Sequence, residues 1–462
     1  MENHFDIIVI GAGPGGYHAA IRAAQNGLSA ALIESRDVGG TCLNRGCIPT
    51  KSLLHSAGLF NEAKNMEHAG ITTQGVSYDL EKIHEFKNGI VEKLRSGVET
   101  LVKANKIELI RGAAKITAPT CVDVTQDVAT LSLTADKIII ATGSVPGLPP
   151  IEGIETPGVL TSDDMLSLTK PLNKLIIIGG GVIGVEFASI YNFLGCDVTI
   201  IEASERIISQ MDKEISQSLS MILKKRGVKI FTSATVNKIE GGVTCHFTQK
   251  GAELSESGEA VLVSVGRKAN IDGLFDETLG LTLERGRIAV DSNYQTNIPG
   301  IYAIGDAIGG IQLAHAASAH ASLAIDHIAG KPPSVNINTI PGCIYTNPEI
   351  ATVGISADDA KKEGLAVKVG KFSMLSNARS MIENLDRGVI KVVICSETNK
   401  VLGAQMICGR ATDLIGEAAL AVANEMTLSQ LTKTVHAHPT FAEAIFEACE
   451  NAEGHGVHTI TR

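Results

Sequence analysis

The sequence has no apolar stretch approaching the ~20 residues a membrane span requires; the best candidate, Leu175 to Gly184, is short and runs into Glu186. A membrane-spanning helix is thereby excluded, and no membrane partner is expected. Basic runs are equally scarce. Forty Lys and Arg stand against fifty Asp and Glu, a net charge of -10, and the one basic triplet, Lys224 to Arg226, reads as a solvated helix end. Nucleic acid is excluded as the main partner. Low-complexity tracts are missing too, and with 44% apolar and 19% charged residues the chain is a folded globular protein. No Lys or Arg precedes Arg22, and Asp6 interrupts the first apolar stretch, so no secretory signal is read; with nine cysteines, an odd number, the expectation is a reducing cytoplasm. Tryptophan is absent and aromatics make up 4%, whereas the 47 glycines cluster in a few short runs, and those runs carry the information. The 462 residues suggest roughly three domains at about 150 each.

The first run is FDIIVIGAGPGGYHAA. Phe5 to Ile10 is a continuous β-branched stretch suited to a strand buried on both faces, and Gly11, Gly13 and Gly16 lead from it into a helix of small residues. Gly27 ends that helix, Ser29 to Ile33 is the next strand, and Glu34, 23 residues after Gly11, closes it. The unit recurs at KLIIIGGGVIGVEFASIYNFLGCDVTIIE, with Gly179, Gly181 and Gly184 in the turn and Glu202 again 23 residues on. A lone GxGxxG is weak evidence, but strand, helix and terminal acid together make a dinucleotide fingerprint: the glycines bring the backbone and a helix N-terminus to a pyrophosphate, and the acid accepts from an adenosine ribose. Two such units imply two nucleotide sites.

Two further segments, ADKIIIATGSVP (Ala135 to Pro146) and TNIPGIYAIGD (Thr296 to Asp306), each pair an apolar strand with a glycine turn. They resemble segments of two-dinucleotide flavoproteins, and because the second follows the second nucleotide unit, that unit is read as an insertion into the first domain. The expected organisation is an FAD-binding domain in residues 1–147, an NAD-binding domain in 148–272, the rest of the FAD domain in 273–337 and a C-terminal dimerisation domain in 338–462. In fold class the chain is α/β, two Rossmann-like domains followed by an α+β domain. The last assignment rests on apolar stretches such as Gly388 to Cys395 followed by helical Thr412 to Glu425.

GGTCLNRGCIPTK (Gly39 to Lys51) places Cys42 and Cys47 five residues apart. On a distorted helix the two can meet, and a helix N-terminus with Lys51 nearby favours thiolate. Spacing alone also fits two buried structural cysteines; a metal pair would need further ligands, and none stands at suitable spacing.

Taken together, the Cys42 to Lys51 segment, both fingerprints, TNIPGIYAIGD and HAHPTFAEA (His436 to Ala444) resemble the pyridine nucleotide-disulfide oxidoreductases over essentially the whole chain. CIYTNPEIATVG (Cys343 to Gly354) and HAHPTFAEA are most similar to the branch that oxidises dihydrolipoyl groups. The resemblance implies catalytic roles for Cys47 as the flavin-side thiolate, Cys42 as the interchange thiol, Lys51 beside the flavin and paired with Glu186, His438 as the base toward a substrate thiol, and Glu443 as its orienting carboxylate. For FAD and NAD it implies contacts from Gly11, Gly13, Gly16, Glu34, Gly40, Thr41, Lys51, Gly112, Ala113, Thr142, Gly143 and Ser144. It adds Gly179, Gly181, Gly184, Glu186, Glu202, Gly266, Arg267, Gly305, Asp306, Gln312, Leu313, Ala314 and His315. No metal is implied.

Departures are few: Ala269 stands where the family commonly has Pro, Asp413 where relatives often carry Glu, and the tail HGVHTITR (His455 to Arg462) matches no motif. Glu202, Ala203 and Ser204 offer no cation for a 2′-phosphate, so NAD is expected over NADP. Both redox cysteines are present, unlike in a transhydrogenase, and Cys449 stands alone where a mercuric reductase would end in paired cysteines. The expected partners are a second copy of the chain, as a homodimer, and a lipoyl-bearing carrier protein or lipoyl domain of a 2-oxo acid dehydrogenase or glycine-cleavage complex. Another disulfide reductase of the family, or a flavin-binding subunit without turnover, are the alternatives.

Overall fold

The computed structural model describes residues 3–126, 129–385 and 387–459. The chain divides into two compact units: Met1–Ser52, Glu81–Gly147 and Gly266–Ile337 form the first, and Leu53–Leu80, Leu148–Val265 and Asn338–Arg462 the second. Mixed α/β architecture runs through both.

In the first unit the strand His4–Ile10 is central, with parallel neighbours Ala30–Glu34 on one side and Thr130–Ile140 on the other. A β-branched run with no polar alternation has no other stable position, since both of its faces are covered. Glu108–Arg111 extends the sheet beyond Ala30–Glu34, and Cys121–Thr125 and Ala113–Ala118 extend it in antiparallel sense beyond Thr130–Ile140. A seventh strand, Ile301–Ala303, pairs in parallel with Ile138 to Ile140. One core layer joins Ala19, Ala20 and Ala23 of the helix Pro14–Gln25 to Ala321 and Ala324 of the helix Ala314–Ile328. Small side chains let these helices lie close, and Gly15 faces Ala317 across the gap. Ile8, Ile10, Ile33 and Leu133 fill the core on the opposite face of the sheet.

The first unit resumes at Gly266, ahead of the expected residue 273. The cause is a short antiparallel pairing of Arg267–Ala269 with Ser144–Pro146, closed by the Gly147 N–H donating to Gly266 O at 2.9 Å. Residues 53–80, expected with the first domain, group with the second unit, where Phe60 and Tyr78 meet edge to face at 4.9 Å.

The second unit contains the sheet of the second nucleotide motif, in which Lys174–Ile178 lies between Asp197–Ile201 and Ala260–Val263, all parallel. The antiparallel strands Ala234–Glu240, Thr244–Gln249 and Ala252–Ser257 form a separate sheet. Its C-terminal part is a five-stranded antiparallel sheet carrying Val389–Cys395 and Val401–Cys408, whose core includes Ala411, Ile415 and Ala418 of the helix Ala411–Ala423 and Ala444, Ile445 and Ala448 of the helix Glu443–Ala452. The basic triplet ends the helix Lys213–Lys225, with Arg226 as its C-cap. At the other end of that helix Asp212 is the N-cap, and its carboxylate also accepts from Lys391 at 2.6 Å, the two side chains being 1% and 6% exposed. His458 lies 2.7 Å from Glu447 and Asn451 donates to Thr459 at 2.8 Å, so the start of the unmatched tail folds onto the helix Glu443–Ala452; residues 460–462 lie outside the described residues. Among the described residues no helix is long and apolar enough to cross a membrane.

Candidate active site

Cys42 and Cys47 form a disulfide with Cα atoms 4.7 Å apart. The expected distortion is a break. Cys42 lies in the helix Gly40–Arg45, Gly46 caps it, and Cys47 begins the helix Cys47–Lys64. A Cβ at Gly46 would lie 2.9 Å from Thr41 O, so a larger residue would force the two helices apart. The short helix is held by Asn44, which donates to Val38 O at 2.9 Å and Gly40 O at 3.0 Å, and by the Arg45 to Asp37 ion pair at 2.7 Å. Lys51 follows one turn after Cys47 in the same helix. Burial pushes the thiols of Cys196, Cys245, Cys408 and Cys449 up to about 12, which keeps them protonated and unreactive beside this pair.

Both glycine turns have the geometry their motifs require. At Gly11 φ is +99° and a Cβ would lie 2.5 Å from Ala141 O; at Gly179 φ is +107° and a Cβ would lie 2.5 Å from Ser264 O. Each terminal acid clamps its own turn. Glu34 accepts from the Ala12 N–H at 2.8 Å and the Arg36 N–H at 2.7 Å, and Glu202 accepts from the Gly180 and Ser204 N–H groups at 2.6 Å each. Gly13 and Gly181 are the extended N-caps of the helices Pro14–Gln25 and Val182–Phe193, and no side chain caps either helix, as suits an N-terminus that meets an anion. Gly40 packs directly on Gly13, so Thr41 and the cysteine helix start against the first turn.

The remaining flavin-side candidates converge within the first unit. Ser144 donates to Asp306 at 2.5 Å and receives the Arg267 Nε–H at 2.7 Å, while Asn270 N–H donates to Gly143 O at 2.9 Å. Gly112 donates to Glu34 O at 3.0 Å, and Ala113 opens the next strand. Gln312 and Leu313 precede the helix Ala314–Ile328, whose first turn holds Ala314 and His315. Thr142 Oγ1 and Gln312 Nε2 are buried without a partner, as polar atoms awaiting a ligand are. One contributor is not legible in the sequence: His320 Nδ1 accepts the Gly305 N–H at 3.2 Å, its ring stacks on Tyr294 at 4.7 Å, and burial drives its pKa down to about 4. No motif marks it, because its partner lies 15 residues away and across a turn.

In the second unit His438 Nδ1 lies 2.8 Å from Glu443 Oε2, and the imidazole is 74% exposed. Glu443 stands in the first turn of its helix, where an anion is favoured. Glu186, buried in the helix Val182–Phe193, accepts from the Tyr345 N–H at 2.9 Å. Sequence reasoning also missed Asn377, 2% exposed, which donates to Glu443 Oε1 at 3.3 Å and to Thr440 O at 2.9 Å. The only sequence signal is an Asn placed before a helix, which marks a cap and not a partner for a carboxylate 66 residues on.

The profile of the Pyridine nucleotide-disulphide oxidoreductase family matches residues 5–321, and that of its dimerisation domain matches residues 340–449. The chain belongs to the pyridine nucleotide-disulphide oxidoreductases. Relatives in this family include a dihydrolipoyl dehydrogenase of Bacillus subtilis, 39% identical over 99% of this chain and 100% of its own, and one of Geobacillus stearothermophilus, 39% identical over 99% and 98%. Among solved structures LpdA of Mycobacterium tuberculosis superposes with a TM-score of 0.89 at 27% identity, covering 97% of this chain and 99% of its own. The HOCl-induced flavoprotein disulfide reductase RclA of Escherichia coli superposes at 0.87 and 28%, with the same coverage. As a pyridine nucleotide-disulphide oxidoreductase the chain is an enzyme of a family that uses FAD and NAD. The two glycine turns and the unpartnered Thr142 and Gln312 atoms fit such groups.

Proposed function

We propose that the protein is a dihydrolipoyl dehydrogenase that oxidises dihydrolipoyl groups on a carrier protein and passes the electrons to NAD⁺. The observation that carries this reading is the Cys42–Cys47 disulfide, together with a His438–Glu443 pair, in a chain that aligns end to end with relatives bearing that name. FAD, bound along the first glycine turn with Glu34, Ser144 and Asp306, supplies the two-electron relay between dithiol and nicotinamide. The chain's own residues do the rest. Glu443 holds the proton of His438 on Nδ1, leaving Nε2 to take a proton from a substrate thiol. The resulting thiolate attacks Cys42, a mixed disulfide forms, and Cys47 leaves as thiolate on the flavin side; the second substrate thiol then displaces Cys42, giving cyclic disulfide product and a reduced cysteine pair. Lys51, one turn after Cys47 on the same helix, would place a positive charge near the flavin.

Glu202 accepts ribose hydroxyls and opposes a 2′-phosphate, which makes NAD the coenzyme. The functional molecule is a two-fold homodimer in which the disulfide of one subunit faces the His438 base of the other, acting in the cytoplasm on the lipoyl domain of a 2-oxo acid dehydrogenase or glycine-cleavage complex. The test is NADH formation by the purified, flavin-loaded protein with dihydrolipoamide. Turnover with NAD⁺ far above that with NADP⁺ is the expected result. Reduction of glutathione disulfide by NADPH without any dihydrolipoamide oxidation would overturn the reading.

A further inference from the structure

The side chain of Asn377 makes four hydrogen bonds, and they divide into two sets. Its Oδ1 accepts from the Ser380 N–H at 2.9 Å and the Ser380 hydroxyl at 3.1 Å, which caps the helix Ala378–Ile382. Its Nδ2 donates to Thr440 O at 2.9 Å and to Glu443 Oε1 at 3.3 Å. The cap needs only the oxygen, and Asp or Ser would supply one equally well. The donor side is what demands the amide, because a carboxylate there would face both a carbonyl and the Glu443 carboxylate.

We propose that Asn377 is a positioning residue for the thiol-side base: its amide, with the Thr440 N–H at 3.3 Å, fixes one oxygen of Glu443 so that the other is presented to His438 Nδ1. This inference rests on the reading of His438 as that base. A carboxylate free to rotate about its last bond would meet the imidazole in many geometries; anchoring Oε1 leaves Oε2 one position, and so fixes the ring orientation and the tautomer. His458, which lies in the field of Glu443, bonds Glu447 at 2.7 Å. Among the described residues, the bonds to Oε1 come from the Asn377 amide and the Thr440 N–H.

Three variants separate the two sets of bonds. Asn377→Ser and Asn377→Asp keep a capping oxygen and lose the donor; Ser380→Ala weakens the cap and leaves the donor in place. Both Asn377 variants are expected to lower kcat/KM for dihydrolipoamide by about tenfold, the scale of a hydrogen bond to a charged group, while NADH-driven reduction of a one-electron acceptor stays within about twofold of wild type. Asn377→Asp is also expected to move the acid limb of the dihydrolipoamide pH profile to higher pH, since it adds a negative charge beside the pair. Ser380→Ala should change neither. A readout independent of turnover is the His438 Nδ1 proton in protein labelled with nitrogen-15 histidine, identified by its loss in His438→Gln: it should shift or broaden in both Asn377 variants and stay in Ser380→Ala. An unmoved resonance with unmoved kinetics would overturn the proposal, as would the same shift in Ser380→Ala. Absence of dihydrolipoamide oxidation in the wild type would defeat the proposed function instead, and the resonance would still decide the role of Asn377.

Discussion

At the scale of single residues, His320 shows how a buried imidazole can serve a neighbouring site without touching it. Its Nδ1 accepts from the backbone of Gly305, next to Asp306, and this bond exists only while the ring nitrogen is unprotonated. The folded value of about 4 lies below the unfolded 6.5, so the unfolded chain binds the proton more tightly. The contribution of His320 is unchanged well above pH 6.5, falls progressively below it, and amounts to a loss of up to about 3 kcal/mol near pH 4. His320→Asn, whose amide oxygen can take the same bond without titrating, is expected to retain flavin to lower pH than wild type. Fluorescence of released flavin between pH 7 and 4.5 checks this, and superimposable release curves would show that His320 plays no part in acid sensitivity.

At the scale of elements, the buried Lys391–Asp212 pair joins a central strand of the C-terminal sheet to the helix Lys213–Lys225. Removing Lys391 leaves the buried Asp212 carboxylate with its helix-cap N–H partners and, among the described residues, no cation. Lys391→Met should therefore cost about 3–5 kcal/mol, read from denaturant unfolding, whereas replacing both residues by apolar ones should cost less than the single change. Equal losses in the single and double variants would mean that packing, not charge, governs the joint. What the sequence made legible here is what is local. Gly11 to Glu34 and Gly179 to Glu202 announce strand, turn, helix and acid because each unit closes its own bonds within about two dozen residues. The re-entry at Gly266 was not legible, since it depends on a three-residue pairing with Ser144–Pro146 that no periodicity records. Nothing local marks Asn377 or Lys391 for these roles, and only the fold supplies their partners, 66 and 179 residues away.

At the scale of the whole molecule, the two halves of the proposed chemistry lie at opposite ends of the chain, Cys42 and Cys47 in the first unit and His438 and Glu443 in the second. If each site of a homodimer takes its disulfide from one subunit and its base from the other, a mixed dimer of Cys47→Ser and His438→Gln chains has one site with both defects and one with none. Random remixing makes about half the dimers mixed, so activity should return to roughly a quarter of wild type. No recovery above the parent variants, once exchange is confirmed by mass, would place disulfide and base in the same subunit. The interrupted first unit also bears on how the protein is made. The edge of Thr130–Ile140 at Ile138 to Ile140 is completed by Ile301–Ala303, which lies beyond the whole inserted segment. At ~5–20 residues per second a ribosome leaves that row of three isoleucines without its neighbour for about 10 to 30 s, long enough for the edge of one nascent chain to meet another. Slow translation of the insert thus lengthens the exposure of the host sheet, and yield of native protein becomes sensitive to synthesis rate across residues 148–265, a stretch that contributes no strand to that sheet.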